Sequence, residues 1–144
     1  MATVEDFDVV LERCQQALRE FVKGNPKPMQ QMFSHREDVT LANPIAPPAH
    51  GWAEVAQTME RAASNIRKGE ITGFEPVVRR ETPQLAYVMW IERNRGKIGR
   101  RDEIVSFPLR VTMIFRPEED TWKIVLRHAD TVTAACPPES MIQE

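Results

Sequence analysis

Residues 109–130 read LRVTMIFRPEEDTWKIVLRHAD, and this stretch decides the fold. PEED, residues 117–120, is a turn signal between two apolar runs. After it, Trp122, Ile124 and Leu126 stand at alternate positions, the period of a strand with one buried face. A loop this short joins antiparallel neighbours. The same period, carried on, delivers His128 and Asp130 to the face that holds Trp122. An imidazole and a carboxylate at the end of a buried face are candidates for chemistry.

Working back from this hairpin, strand-like patterning is expected over about 71–81, 84–94, 102–116 and 121–133. The turn signals are Thr82-Pro83, NRGKIG at 94–99, and PEED. Consecutive strands on short loops form an antiparallel meander. FPLRVTMIF (107–115) and LAYVMWI (85–91) are too apolar on both parities for a sheet wetted on one side. The open face is therefore expected to be covered by a second subunit, or else the sheet curls enough to bury both faces within one chain.

Helical periodicity fills the first half. Val4, Phe7, Leu11, Cys14, Leu18 and Phe21 share a face, with Thr3 as expected N-cap and Asp6 three residues on. KGNPKP ends this helix, and PMQQMFS (28–34) is expected to form a short second one. DVTLANP (38–44) reads as a short strand that stops at Asn43-Pro44, and IAPPAHG (45–51) as a stiff, exposed loop. A third helix is expected from Gly51 to Lys68, with Gly69 as its cap and Trp52, Val55, Ala56, Met59, Ala63 and Ile66 as its apolar stripe. Helices first and strands afterwards is the α+β pattern.

Composition sets the class. The chain has 144 residues, 42% apolar and 28% charged, with a net charge of −2, which suits one soluble domain with a real core. That charge argues against nucleic acid or an anionic membrane as partner. No apolar run is long enough to span a bilayer. MATVEDFDVV carries acids where a secretory leader carries positive charge. Cys14 and Cys136 form neither metal spacing nor a disulfide framework, so a cytoplasmic location with both thiols reduced is the simplest expectation.

The order of elements, with FVKGNPKPMQQMFSHREDVTLANP (21–44), HGWAEVAQTMERA (50–62) and the 109–130 hairpin, resembles the nuclear transport factor 2-like, or SnoaL-like, superfamily. Within it the R-V-T…D-x-W-K-I-V-x-R-H-A-D pattern is most similar to the branch holding the association domain of calcium/calmodulin-dependent kinase II and stand-alone bacterial proteins. The resemblance covers nearly the whole chain, residues 1–144, as one domain. It implies a cone-shaped α+β fold, with N-terminal helices in the concavity of a curved, mainly antiparallel sheet. It also implies a cavity between sheet and helices, and a homodimer through the open sheet face. The superfamily spans isomerases, cyclases, dehydratases and non-catalytic binding or assembly modules, so the fold does not fix the function.

Where ketosteroid isomerases in this superfamily carry their base, before a proline after the short strand, this chain has Asn43, which takes no proton at neutral pH. The expected first-helix tyrosine is missing, since Tyr87 is the only tyrosine, and Arg110 and Val111 stand near the expected acidic donor. Arg110 interrupts an apolar strand and needs a carboxylate partner. Either it pairs with Glu92 or Glu75, or it clamps an acidic ligand, as the resemblance suggests. Trp52, Trp90 and Met59 offer apolar walls, with core packing as the alternative.

His35, His50 and His128 have no metal-ligand spacing, and no nucleophile motif surrounds a serine or cysteine, so neither metal nor cofactor is implied. The basic run RNRGKIGRR (93–101) lacks interleaved aromatics and reads as a solvated hairpin.

The expectation is a homodimeric cavity protein for a small, partly apolar organic acid. Arg110 would anchor the charge and His128 supply a hydrogen bond. Trp52, Trp90, Met59 and Glu92 would line the pocket, with Asn43 at its mouth. The alternatives are an enzyme, a cyclase, isomerase variant or hydratase using His128 with Asp130 or Glu92, and an assembly domain without ligand chemistry.

Overall fold

The computed structural model describes residues 4–144. In chain order the elements are α1 (Phe7–Phe21), α2 (Lys27–Met32), β1 (Thr40–Ala42), β2 (Ala49–His50), α3 (Trp52–Ser64), β3 (Ile66–Glu81), β4 (Ala86–Ile98), β5 (Val105–Ser106), β6 (Leu109–Glu118) and β7 (Thr121–Asp130), with a 3-10 turn at Pro138–Met141. Helix α1 starts later than its apolar spacing predicts. Asp6 is the N-cap, its side chain accepting from the Asp8 N–H at 2.9 Å. Thr3, the expected cap, lies outside the described residues.

The strands form a sheet in the order β2-β1-β7-β6-β4-β3, with β5 beside β4. All pairings are antiparallel except β1 with β7. The long strand expected over 102–116 is two strands, because Pro108 supplies no N–H to continue a ladder. The helices cover one face. Phe7, Val10, Cys14 and Leu18 of α1, Met29 and Met32 of α2, and Val55 and Met59 of α3 are buried against Val88, Trp90, Val111, Met113, Phe115, Trp122 and Ile124. Phe7 anchors this layer, edge-on to Phe115 at 5.0 Å and tilted on Trp122 at 5.2 Å.

The strand period that predicts His128 on the inner face is broken once. Ile114 pairs with Leu126 but Phe115 with Ile124, so Val125 is an extra residue in β7. This β-bulge reverses the parity. Trp122 and Ile124 face the helices, and after the bulge Arg127 and Ala129 do. His128 is exposed on the outer face, opposite Thr112 of β6 and Ala42 of β1. Asp130 shares that face.

Gly69 is also not where the helical pattern puts it. Helix α3 ends at Ser64, and Gly69 lies in β3 against the end of α1. A Cβ on Gly69 would stand 1.9 Å from the Val22 carbonyl oxygen. The close approach of sheet to helix requires glycine there. Gly69→Ala should lower stability by about 2 kcal/mol or more, since the clashing atom is backbone. Gly73→Ala, where an added Cβ meets nothing within 4 Å, should change it by under about 0.5 kcal/mol. Urea midpoints at constant m-value compare the two, and equal effects would sink the close-contact argument.

Candidate functional site

Strand β4 sends Ala86, Val88, Trp90, Glu92, Asn94 and Gly96 to its buried face by simple alternation. The first three belong to the apolar core. Glu92 and Asn94 continue the same face where the helices draw away, and a cavity of about 220 Å³ opens there. Leu18 and Phe21 of α1, Val22 just after it and Met59 of α3 line it from the helical side, and Leu41, Phe107 and Leu109 from the sheet side. Asn43, Pro44 and Ile45 line it from the loop after β1, and Thr131 from the end of β7. Ile45 is 77% exposed, so this loop marks the mouth.

The buried polar part of the wall is Glu92, Arg127 and Asn94. Arg127 reaches Glu92 from the far side of β6 and donates twice, Nη1 to Oε2 at 3.0 Å and Nη2 to Oε1 at 2.9 Å. Trp90 Nε1 donates to the same Oε2 at 2.9 Å. Glu92 is 2% and Arg127 8% exposed, so this is a buried, bidentate ion pair. Burial would lower the Arg127 pKa, but the Glu92 carboxylate outweighs it and raises it, so the guanidinium stays charged. On the core side Cys14 lies near the pair, and burial pushes its thiol up to about 12. It is an inert packing group rather than a nucleophile.

Of the predicted site residues, Asn43, Glu92 and Met59 line the cavity. Trp90 stands behind it, orienting Glu92 and packing edge-on to Phe74 at 5.2 Å. Trp52 lies outside the cavity, stacked on His35 at a centroid distance of 3.8 Å. Arg110 pairs with neither Glu92 nor Glu75. It is on the outer face, bound to Asp130 with Nη2–Oδ2 at 2.7 Å and Nε–Oδ1 at 3.0 Å. Arg93 takes Glu75 instead. Burial alone would raise the Asp130 carboxyl, but Arg110 and the Val132 N–H hold it below the usual carboxylate range. His128 and Asp130 therefore end a solvent-side row, not the cavity wall.

The basic hairpin is matched by acids: Arg95 with Glu70, Lys97 with Asp102 and Arg101 with Glu103, besides Arg93 with Glu75. Among the described residues no group of three or more His, Cys, Asp or Glu is placed to hold a metal ion, and no helix is long and apolar enough to cross a membrane.

Sequence reading missed Arg127 and Asn94. Asn94 was within reach of it, because the parity that buries Trp90 and Glu92 also buries Asn94. Arg127 was not. The bulge falls within Ile124-Val125-Leu126, three consecutive apolar residues that fit either parity.

A family model described as SnoaL-like domain matches residues 10–133. No curated protein matches the chain. Among solved structures, a Salmonella enterica nuclear transport factor 2-like superfamily protein superposes with a TM-score of 0.73 at 14% identity, over 92% of this chain and 97% of that one. A calcium/calmodulin-dependent protein kinase type II association-domain-like protein from Thiobacillus denitrificans gives 0.69 at 19% identity, over 92% and 100%. A ketosteroid isomerase-like protein from Erwinia carotovora gives 0.71 at 12% identity, over 88% and 94%. At such identities the likeness is one of fold.

The buried pair makes an asymmetric prediction. Arg127→Leu strands the Glu92 charge in an apolar wall and should cost about 3–5 kcal/mol. Glu92→Leu combined with Arg127→Leu should recover most of that loss. A denaturation cycle over the two single variants and the double variant measures the coupling. A loss below about 1 kcal/mol for Arg127→Leu alone would mean that the pair is not formed in solution.

Proposed function

The chain belongs to the SnoaL-like domain family, and we propose that its cavity binds a small, largely apolar and uncharged organic molecule. The observation that carries this reading is the wall chemistry: apolar side chains on three sides and one polar side whose charges cancel. Such a cavity favours apolar burial with a few orienting polar groups. An anionic ligand has less support than the sequence suggests. Arg110, the anchor expected for it, is engaged by Asp130 away from the cavity, and Arg127 is engaged by Glu92.

Glu92 favours binding over catalysis in the same way. Both its oxygens are committed to three donors, which leaves little capacity for taking a substrate proton. A cavity of about 220 Å³ speaks for a ligand function over assembly alone.

The outer face of the sheet supports homodimerisation. The strand register aligns Tyr87, Ile114 and Leu126 in one row and Met89, Thr112 and His128 in the next. Tyr87, Met89, Ile91, Ile114 and Leu126 are only half-buried within the chain. The Arg110–Asp130 and Arg93–Glu75 pairs lie beside them. An apolar patch with a polar rim is the anatomy of a protein interface.

Thermal shift against small uncharged aromatic and alicyclic compounds tests the cavity. A ligand at a hundredfold excess over its Kd should add about 2.7 kcal/mol, a rise of roughly 8 °C in Tm for a chain of this size. Met59→Trp, which fills the cavity from α3, should abolish the rise. No shift with any compound, or a shift unaltered by Met59→Trp, would count against this site.

Light scattering tests the dimer, with twice the chain mass of 16.5 kDa expected for the parent protein. Ile114→Arg should give the monomer mass. A monomeric parent would remove the proposal.

A further inference from the structure

Asn94 carries the one buried side-chain polar atom among the described residues that has no hydrogen-bond partner, its Oδ1. The residue is 2% exposed and lies in the cavity wall. Its amide orientation is fixed by its surroundings. Nδ2 points at the Phe107 carbonyl oxygen at 3.4 Å, and the flipped amide would set oxygen against oxygen. The backbone is held as well, the Phe107 N–H donating to the Asn94 carbonyl at 2.9 Å. Leaving a buried amide oxygen dry costs about 1–3 kcal/mol, so a partner from outside the chain is called for.

The other buried polar groups of this wall are engaged with each other. Glu92 accepts three hydrogen bonds, and Arg127 spends Nη1 and Nη2 on Glu92. The remaining polar lining residues stand at the rim: Asn43 is half-buried, and Asn65 and Thr131 are exposed, with Asn65 Nδ2 donating to the Arg61 carbonyl. The one unpartnered buried acceptor that this wall offers a ligand is thus Asn94 Oδ1.

We propose that Asn94 is the specificity-determining contact of the cavity, its Oδ1 accepting a hydrogen bond from a hydroxyl or N–H on an otherwise apolar, uncharged ligand. This inference rests on the cavity being a binding site and adds the chemical class of what it selects. An alcohol, phenol or amide N–H satisfies Oδ1. A hydrocarbon or ether of the same shape leaves Oδ1 unpaired. A carboxylate places negative charge against it. Discrimination of this kind is strong because the penalty falls on the protein's own buried group.

The test is titration calorimetry on the whole chain with three bicyclic probes of similar shape: 2-naphthol, 2-methylnaphthalene and 2-naphthoate. The naphthol should bind about tenfold or more tighter than the other two, a difference of about 1.4 kcal/mol. In Asn94→Leu the advantage of naphthol over methylnaphthalene should vanish while methylnaphthalene binds at least as well as before. Equal binding of all three to the parent protein would overturn the role of Asn94 and leave the cavity as a site. Preference for the naphthoate would overturn it in favour of Arg127. Binding of none would remove both this inference and the binding function it rests on. Should Asn94→Leu not fold, the ranking on the parent protein decides alone.

Discussion

The ion pair between Arg127 and Glu92 is the constraint around which the concave side of this protein is arranged. Two opposite charges lie in an apolar wall, bound to each other by two hydrogen bonds and to Trp90 by a third. Neither charge is tolerable there alone, because desolvation costs several kcal/mol per ion and is repaid only by close pairing. Both must therefore face inward, one from β4 and one from β7, across the width of β6. On β4 plain alternation delivers Glu92. On β7 alternation alone would deliver the residues on either side of Arg127. The extra residue at Val125 is what turns the guanidinium inward.

The same bulge divides the labour of neighbouring residues. Arg127 belongs to the cavity and His128, one residue on, to the outer face beside Thr112. Asp130 and Arg110 pair on that outer face and are screened by solvent, so their hydrogen bonds tie β7 to β6 without loading the interior with charge. The sheet thus has two unlike faces with different tasks. The inner one is apolar with a neutral polar end, and the outer one is half-apolar with paired charges at its border.

Much of the fold was legible from periodicity. The helical stripe of α1, the shift to period two after α3 and the short turns of the meander are local signals, and each gave an element of the right kind. The α+β class followed from their order. Features that depend on contacts distant in sequence were not legible. Gly69 reads as a helix cap until β3 is seen packed on the Val22 carbonyl. Pro108 splits a strand whose apolar pattern runs through it. Glu92 and Met59 reached the cavity wall because β4 and α3 are regular on either side of them, and Asn43 did so from the loop directly after β1. Arg110 stands on the outer face by the plain alternation of β6, which buries Val111 and Met113 instead. His128 and Asp130 were drawn to the wrong face by one assumption, that β7 keeps a single parity from end to end. An Ile-Val-Leu run hides a change of parity because each of its residues is content on either face.

The distribution of polar groups along β4 explains why the cavity opens where it does. Up to Trp90 the inward residues are apolar and the helices close upon them. From Glu92 on they are polar, and packing a helix over them would bury groups it could not satisfy. Glu92 is satisfied by a partner from β7, and Gly96 has no side chain to satisfy. Asn94, between them, has its amide nitrogen directed to Phe107 and its oxygen to no group of the chain. A core built only for stability would have replaced this asparagine with an apolar residue of similar size, since an unpaired buried amide oxygen weakens the folded state. Its retention in a wall that is otherwise apolar or internally neutralised is what distinguishes this space from a packing defect. A packing defect has apolar walls throughout and remains dry. A wall with one oriented and unfilled acceptor is complementary to a molecule that brings a donor.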